Sequence, residues 1–422
     1  MRYTVTDVSK LIAPPYDVLG EADKARLIDG DDHNIVVVDL PHVPPKTAGP
    51  DRVYEQAAGQ LTSWLDIRCL ARDEKPAIYV YHQHYELGGK RLTRKKFFSR
   101  LRLEQFGSGA IFAHEETFGG PKEDRLKLTM STRCNLSPIY GLYPDPKNEV
   151  ASALDEAIGR RPPDQVGVMQ GVENALWVIH DPATIKAVQS KMADRSVFVA
   201  DGHHRYSTAL MYRDKVIEEM GEPLDEDPVN FVLAVLGGME DPGATIQPYF
   251  RCLVEPAQLK SKDLTALLSK DFKCTTTRRP AGDAELARVL AAEGTSAFGM
   301  YFAADDATSI VSPKSGSLLA AVEPKRSEAW RTLAYSVLHR YVIDEVIGPK
   351  LCNGKPPVLH YHKSLAETIT DAKESGGVGL LMPATTMEQL RAICTAGELM
   401  PQKSTYFHPK IATGMVINPL YD

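Results

Sequence analysis

The sequence predicts a mixed α/β (α+β) protein, and three stretches carry that expectation. Between residues 175 and 238, apolar runs of strand length (Ala175 to Ile179, Val197 to Ala200, Asn230 to Leu236) alternate with windows of helical spacing (Pro182 to Met192 and the residues after Arg205), the order of an α/β layer. Ahead of them, Ala77 to Gln83 and Lys95 to Glu104 read as strands paired around a Gly88-Gly89 turn. Beyond them, amphipathic helices (Asp263 to Leu268, Asp283 to Ala292) flank an alternating strand pair, Ala297 to Ala303 and Thr308 to Val311.

Taken in order, the chain opens with Pro14-Pro15, which fix an extended backbone and present Tyr16 and Asp17 from a stiff loop. Asn34 to His42 contains Ile-Val-Val-Val, a β-branched run expected as a strand, and Gln56 to Asp66 is expected as a helix. The second hairpin strand carries Arg91, Arg94, Lys95, Lys96 and Arg100 beside Phe97 and Phe98, which predicts one solvated basic face. From Ile111 to Tyr143 the polar residues crowd: His114, Glu115, Thr117, Lys122, Arg125, Arg133 and Asn135 fall in a loop and one helix. Salt bridges along a solvated helix account for Glu123 to Lys127. They do not account for His114 to Thr117, which precede the helix with no apolar face.

A linker is expected near Gly159 to Pro163, and four segments follow from these shifts in pattern: 1–158, 159–254, an inserted lobe at 255–325, and 326–422. The last contains an expected long helix (Ser327 to Val346), a His360-Tyr361-His362 strand, a strand at Gly376 to Pro383 and a helix at Thr386 to Ala396. Lys403, Ser404 and Thr405 stand in a Pro-bounded loop, read either as reaching an anion or as a C-terminal clasp.

At 422 residues the chain is long enough for about two to three domains. With 43% hydrophobic and 25% charged residues it has a globular composition, and no apolar run reaches membrane-spanning length. The start lacks the basic and apolar regions of a signal peptide, so a cytoplasmic address without a membrane partner is expected. A net charge of −6 argues against a nucleic-acid-coating surface. Six scattered cysteines form no Cys-x-x-Cys pair, which indicates neither a zinc site nor a disulfide framework. His82 with His84, and His360 with His362, share a strand face but lack an acidic or cysteine partner at a recognisable spacing, so they are read as ordinary histidines and no metal site is expected.

Residues 196 to 217 say the most about chemistry. A short apolar run ends in Asp201, Gly202, His203, His204 and Arg205, and a helical pattern follows through Tyr206, Ala209, Leu210, Arg213 and Val216. A strand-to-helix turn of this kind suits an anion: helix-start N–H groups face outward, Gly202 admits close approach, and Arg205 offers a planar fork. The plainer alternative makes Asp201 an N-cap and Gly202 a turn residue.

Five motifs together resemble the domain-of-unknown-function 1015 family: Ala-Pro-Pro-Tyr-Asp-Val (13 to 18), His-Glu-x-Thr (114 to 117), Asn-x-Ser-Pro-Ile (135 to 139), Ala-Asp-Gly-His-His-Arg-Tyr (200 to 206) and Met-Pro-x-Lys-Ser-Thr-Tyr-Phe-x-Pro-Lys (400 to 410). The turn is also similar to the phosphate turn of the ParB and sulfiredoxin superfamily, which includes free-serine kinases. That likeness implies a ParB/sulfiredoxin-like phosphate-binding core with N-terminal, inserted and C-terminal elaborations. His203 and His204 stand where sulfiredoxins need a cysteine, so sulfinic-acid reduction is not expected, and no helix-turn-helix follows as it does in ParB.

The resemblance implies a phosphotransferase or phosphohydrolase acting on a small hydroxyl metabolite such as serine or phosphoserine, with a nucleotide or pyrophosphate as donor. Gly202, His203, His204 and Arg205 would hold the phosphate, and Lys122, Arg125 or Arg133 would balance charge. Asp201 or Glu115 would take the proton, with His204 also at the reacting centre. Tyr16, Asp17, His114, Thr117 and Asn135 would contact substrate, and Mg2+ suits carboxylates beside phosphates. The alternatives are a non-catalytic nucleotide- or phosphometabolite-binding regulator and a ParB-like DNA-associated protein.

Overall fold

Strand and helix alternate through both halves of the molecule, which makes it a mixed α/β protein. The computed structural model describes residues 1–115 and 119–421, with residues 119–121 by their backbone alone. Thr117 lies outside the described residues. Contacts divide the chain into two units, Met1–Ala244 with Pro409–Asp422, and Thr245–His408.

The first unit is built on an eight-stranded sheet. Its spatial order is Ile111–Phe112, Val197–Asp201, Ile139–Tyr143, Phe231–Gly238, Lys90–Arg102, Ile78–Leu87, Val172–Ile179 and Gln165–Met169. The 111–112 and 197–201 strands run parallel, as do 139–143 and 231–238, and the remaining neighbours are antiparallel. The hairpin forms as expected, because Gly88 (φ 58°) and Gly89 (φ 74°) both accept the left-handed backbone a tight two-residue turn requires. Alternation puts Val80, Phe97, Ile139, Val199 and Ala234 on one face, where Leu154 and Tyr206 from two helices join the core.

Three expectations are corrected. Arg94 and Lys96 do not form a solvated basic face: both are buried. The C-terminal segment covers them, with an Arg94 Nη2 bond to the Pro409 carbonyl and a 3.0 Å bond from Gln83 Nε2 to the Lys410 carbonyl. Lys96 Nζ donates to Gln83 Oε1 over the Tyr81 ring, and burial drives its ammonium well below the usual lysine range. The Asn34 to His42 run is not a strand, since Val36–Asp39 is one helical turn. Asn34 accepts from Val36 N (3.0 Å) and donates to the carbonyls of Lys10 (2.7 Å) and Ile12 (3.0 Å), and this local bonding overrides the β-branched preference. Between Ser327 and Val346 the expected single helix is broken at Leu333, which is buried and extended (ψ 126°); Val337–Ile347 then continues as a π-helix.

The second unit holds a six-stranded sheet, in the order Phe272–Thr277, Ala307–Pro313, Phe298–Phe302, Val378–Leu381, Phe250–Glu255 and Val358–His362. Strands from both sides of residue 158 therefore share one sheet, and strands from both sides of residue 325 share the other. Among the described residues, no helix is long and apolar enough to cross a membrane.

Acid should weaken the first unit through His82. Its ring is buried 4.9 Å from Trp177, and burial pushes the imidazole down to about 4, with Asp155 opposing. Between the ordinary value of 6.5 and about 4, the unfolded chain binds a proton that the native state refuses, so stability falls as pH falls through that window. Urea denaturation at pH 7 and pH 5 is expected to differ by about 1–3 kcal/mol on this account. His82→Gln should reduce the difference by that amount, since the buried His203 keeps its own share, and an unchanged difference would remove His82 from the account.

Candidate functional site

The turn lies at the carboxyl ends of two parallel strands, where Val197–Asp201 passes through Gly202 into the 18-residue helix His203–Met220. Crevices at such ends are where open α/β sheets bind ligands. Gly202 is the N-cap, at φ 90° and ψ 27°, and supplies no side-chain cap. The first-turn N–H groups are therefore not used up by the residue before them. Asp201 is not the cap that the plainer alternative made it.

A Cβ at position 202 would meet Arg205 Cζ at 3.0 Å. Gly202→Ala is expected to cost about 1–2 kcal/mol from the left-handed backbone alone, read as a lower urea midpoint. An unchanged midpoint would show that the turn relaxes freely.

The described loop residues His114 and Glu115 meet the turn, although more than eighty positions separate them in sequence. His114 Nδ1 bonds the Val199 carbonyl at 2.7 Å, and the His114 and His203 rings lie 4.5 Å apart. His203 Nε2 accepts the His114 backbone N–H at 3.4 Å, which assigns the proton to Nδ1. That nitrogen faces Glu115 Oε1 at 3.6 Å, beyond hydrogen-bond length, so this pair does not consume the carboxylate's acceptor capacity. Burial, reinforced by His114, holds His203 neutral well below the usual histidine range. His204 is also lowered, first by burial; Glu115 and Asp17 oppose the shift, while Lys122 and Lys46 add to it. Glu115, Asp17 and Lys122 therefore all lie within electrostatic reach of the second turn histidine.

Asp201 and Arg205 stand differently from expectation. Lys410 Nζ sits 2.8 Å from Asp201 Oδ2 and Arg205 Nη2 3.6 Å from Oδ1. Burial raises the Asp201 carboxyl, but Lys410 and then Arg205 outweigh it and hold the group far below the ordinary range, which makes it a poor proton acceptor. Arg205 Nη1 bonds the Pro138 carbonyl, so part of its fork braces the turn rather than pointing outward. Lys410 was missed as a site residue. It closes the last sequence motif, but nothing local in the sequence pairs it with an aspartate 209 positions earlier.

Arg125 is corrected from phosphate ligand to structural residue. It is buried, donating from Nε and Nη2 to Asp124 (2.9 and 2.7 Å) and from Nη1 to the Asp39 carbonyl (2.6 Å). Its guanidinium stacks 3.8 Å from the Tyr16 ring centre, which buries Tyr16 as well; burial pushes that phenol up to about 12. A cavity of about 40 Å³ between Asp39, Arg125, Ser137 and Arg205 has room for water. Arg133 is exposed over the Tyr421 ring at 5.1 Å, about 16 Å along the helix axis from Lys122. Asn135 Oδ1 accepts from Leu233 N and Asn418 Nδ2, both at 3.0 Å, and so ties strands together. Another cavity, of about 430 Å³ and lined by Val80, His82, Lys95, Tyr143 and Asp155, contains none of the turn residues.

Fold and turn together make this an α/β protein with a glycine-capped strand-to-helix turn. The chain belongs to the family described as "Protein of unknown function (DUF1015)", whose model matches residues 1–336. Among solved structures it is similar to a conserved hypothetical protein from Pyrococcus furiosus, at 12% identity and a TM-score of 0.34, covering 77% of this chain and 95% of that one. It is also similar to a free serine kinase in complex with AMP (12% identity, TM-score 0.33, covering 76% and 92%). A third similar structure is SbnI with a C-terminal truncation from Staphylococcus aureus (10% identity, TM-score 0.36, covering 76% and 87%). None of the curated proteins compared with the chain matches it.

Proposed function

We propose that the turn binds the phosphate of a nucleotide, pyrophosphate or small phosphometabolite, and that the protein transfers or hydrolyses the phosphoryl group at a small hydroxyl compound of the serine or phosphoserine class. The observation that carries this reading is Glu115, a one-third-exposed carboxylate 3.6 Å from His203 at the start of an 18-residue helix. A proton acceptor beside an anion-suited helix start is the pairing phosphoryl transfer needs.

In this scheme the backbone N–H groups of His203 and His204 hold phosphate oxygens, and Lys122 balances developing charge. Glu115 takes the proton of the attacking hydroxyl as its oxygen bonds phosphorus and the bond from phosphorus to the donor oxygen breaks. His203, held neutral, keeps Nδ1–H directed at Glu115. Lys410 and Arg205 fix Asp201 and the backbone of the turn. Mg2+ suits one carboxylate beside phosphate oxygens, and among the described residues Asp17 would be the one to hold it, because Asp201 is taken by Lys410. When bound it would neutralise phosphate charge.

The regulator reading draws its support from Asp201, whose ion pairs leave one candidate base instead of two. Thermal melts with ATP, ADP, pyrophosphate, serine and phosphoserine test binding, since a ligand at a hundredfold excess over its Kd stabilises the native state by about 2.7 kcal/mol. Phosphate transfer or release in the same mixtures tests turnover. Binding without turnover would select the regulator, and no shift with any phosphate compound would remove both readings.

A further inference from the structure

The second unit carries a side-chain cluster that plays no part in the turn chemistry. The strand Val358–His362 is the edge of the six-stranded sheet, and its period of two places His360 and His362 on the same face. The helix Leu365–Ser375 brings Asp371 to that face. Asp371 Oδ2 lies 2.7 Å from His362 Nε2 and 3.0 Å from His360 Nδ1. The three ligand atoms all fall within 4.8 Å of one another. The acidic partner that sequence spacing failed to reveal is thus supplied by the fold.

We propose that His360, His362 and Asp371 bind a divalent transition-metal ion of the zinc class, leaving the fourth position to water or an exogenous ligand. Two imidazoles and one carboxylate select such an ion over Mg2+ or Ca2+, which take oxygen ligands. The geometry needs little adjustment. Ligand atoms about 2.0–2.1 Å from a tetrahedral zinc stand about 3.3 Å apart, so the spacings of 2.7 and 3.0 Å open by about 0.6 and about 0.3 Å, and the imidazole–imidazole spacing is at most 4.8 Å. Access is also present, because the His360 side chain is 53% exposed and those of His362 and Asp371 are 21% and 18% exposed. An edge strand backed by one helix leaves the outer coordination position facing solvent.

The test uses the full chain, free of any affinity tag and stripped of metal with a chelator. Co2+ is titrated while its visible d–d absorption is followed, and Zn2+ binding is measured by calorimetry. The expected result is one equivalent bound in the micromolar range, weakened more than tenfold by His362→Ala and by Asp371→Asn. His33→Ala, in the other described cluster of Asp31, Asp32 and His33, should leave that binding unchanged. No saturable micromolar binding, or binding undiminished by the His362 and Asp371 variants, overturns the proposal. A readout free of any folding defect comes from the wild type. Zn2+ should protect His360 and His362 from diethyl pyrocarbonate in peptide mapping, and equal modification with and without Zn2+ also overturns the site.

Discussion

Glu115→Gln is expected to lower phosphoryl turnover by about 10²- to 10⁴-fold while leaving phosphate-ligand affinity within about twofold. Glutamine keeps the size of the side chain and a carbonyl oxygen toward His203 but cannot take a proton. In the proposed scheme the effect belongs to kcat because the proton moves only during reaction, whereas the helix N–H groups would hold phosphate in ground and transition states alike. Asp201→Asn supplies the contrast. Its carboxylate is already committed to Lys410 at 2.8 Å, so that variant should lose stability rather than the chemical step. Single-turnover measurement with each active phosphate donor, beside calorimetric affinities, separates the two. Equal turnover in wild type and Glu115→Gln would sink the general-base assignment.

Replacing Arg125 should produce the largest stability change. Arg125→Met leaves Asp39 and Asp124 buried without their cation, and breaking a buried pair on one side costs about 3–5 kcal/mol. Methionine fills part of the volume but restores neither the bond to the Asp39 carbonyl nor the stacking on Tyr16. Asp39 already sits above the ordinary aspartate range, first because of burial and despite Arg125, so the variant should take up a proton there on folding. Urea denaturation with a pH series reads both effects. A stable Arg125→Met protein with weakened phosphate binding would return Arg125 to the ligand site.

The turn was legible because the period of apolar residues changes there from strand to helix within five positions, and a polar cluster marks the change. The Gly88-Gly89 hairpin was legible for a similar local reason. Arg125 was not, because a cation on a helix gives no sign of which face it occupies; Asp39 and Tyr16, brought in by other segments, decide that. Arg94 and Lys96 misled in the same way, since the segment covering them comes more than three hundred residues later. The His360, His362 and Asp371 cluster needed the helix to return over the strand, a matter of packing rather than spacing. Ile35 to Val38 failed through a single neighbour, Asn34, whose amide offers bonds that a strand would forgo.

The division of the chain also orders its synthesis. Residues 1–244 leave the ribosome before any of 409–422 exist, yet the Met1 amine bonds the Ile417 carbonyl at 2.8 Å, Ala13 bridges Thr413, and Asp201 depends on Lys410. At about 5–20 residues per second, translating the intervening second unit takes on the order of ten seconds. Through that interval the nascent first unit has Arg94 without the Pro409 carbonyl and Asp201 without Lys410. The segment translated after the second unit is therefore the one that pairs Asp201 with Lys410, so a ribosome that stalls inside the second unit leaves the turn's aspartate without that cation.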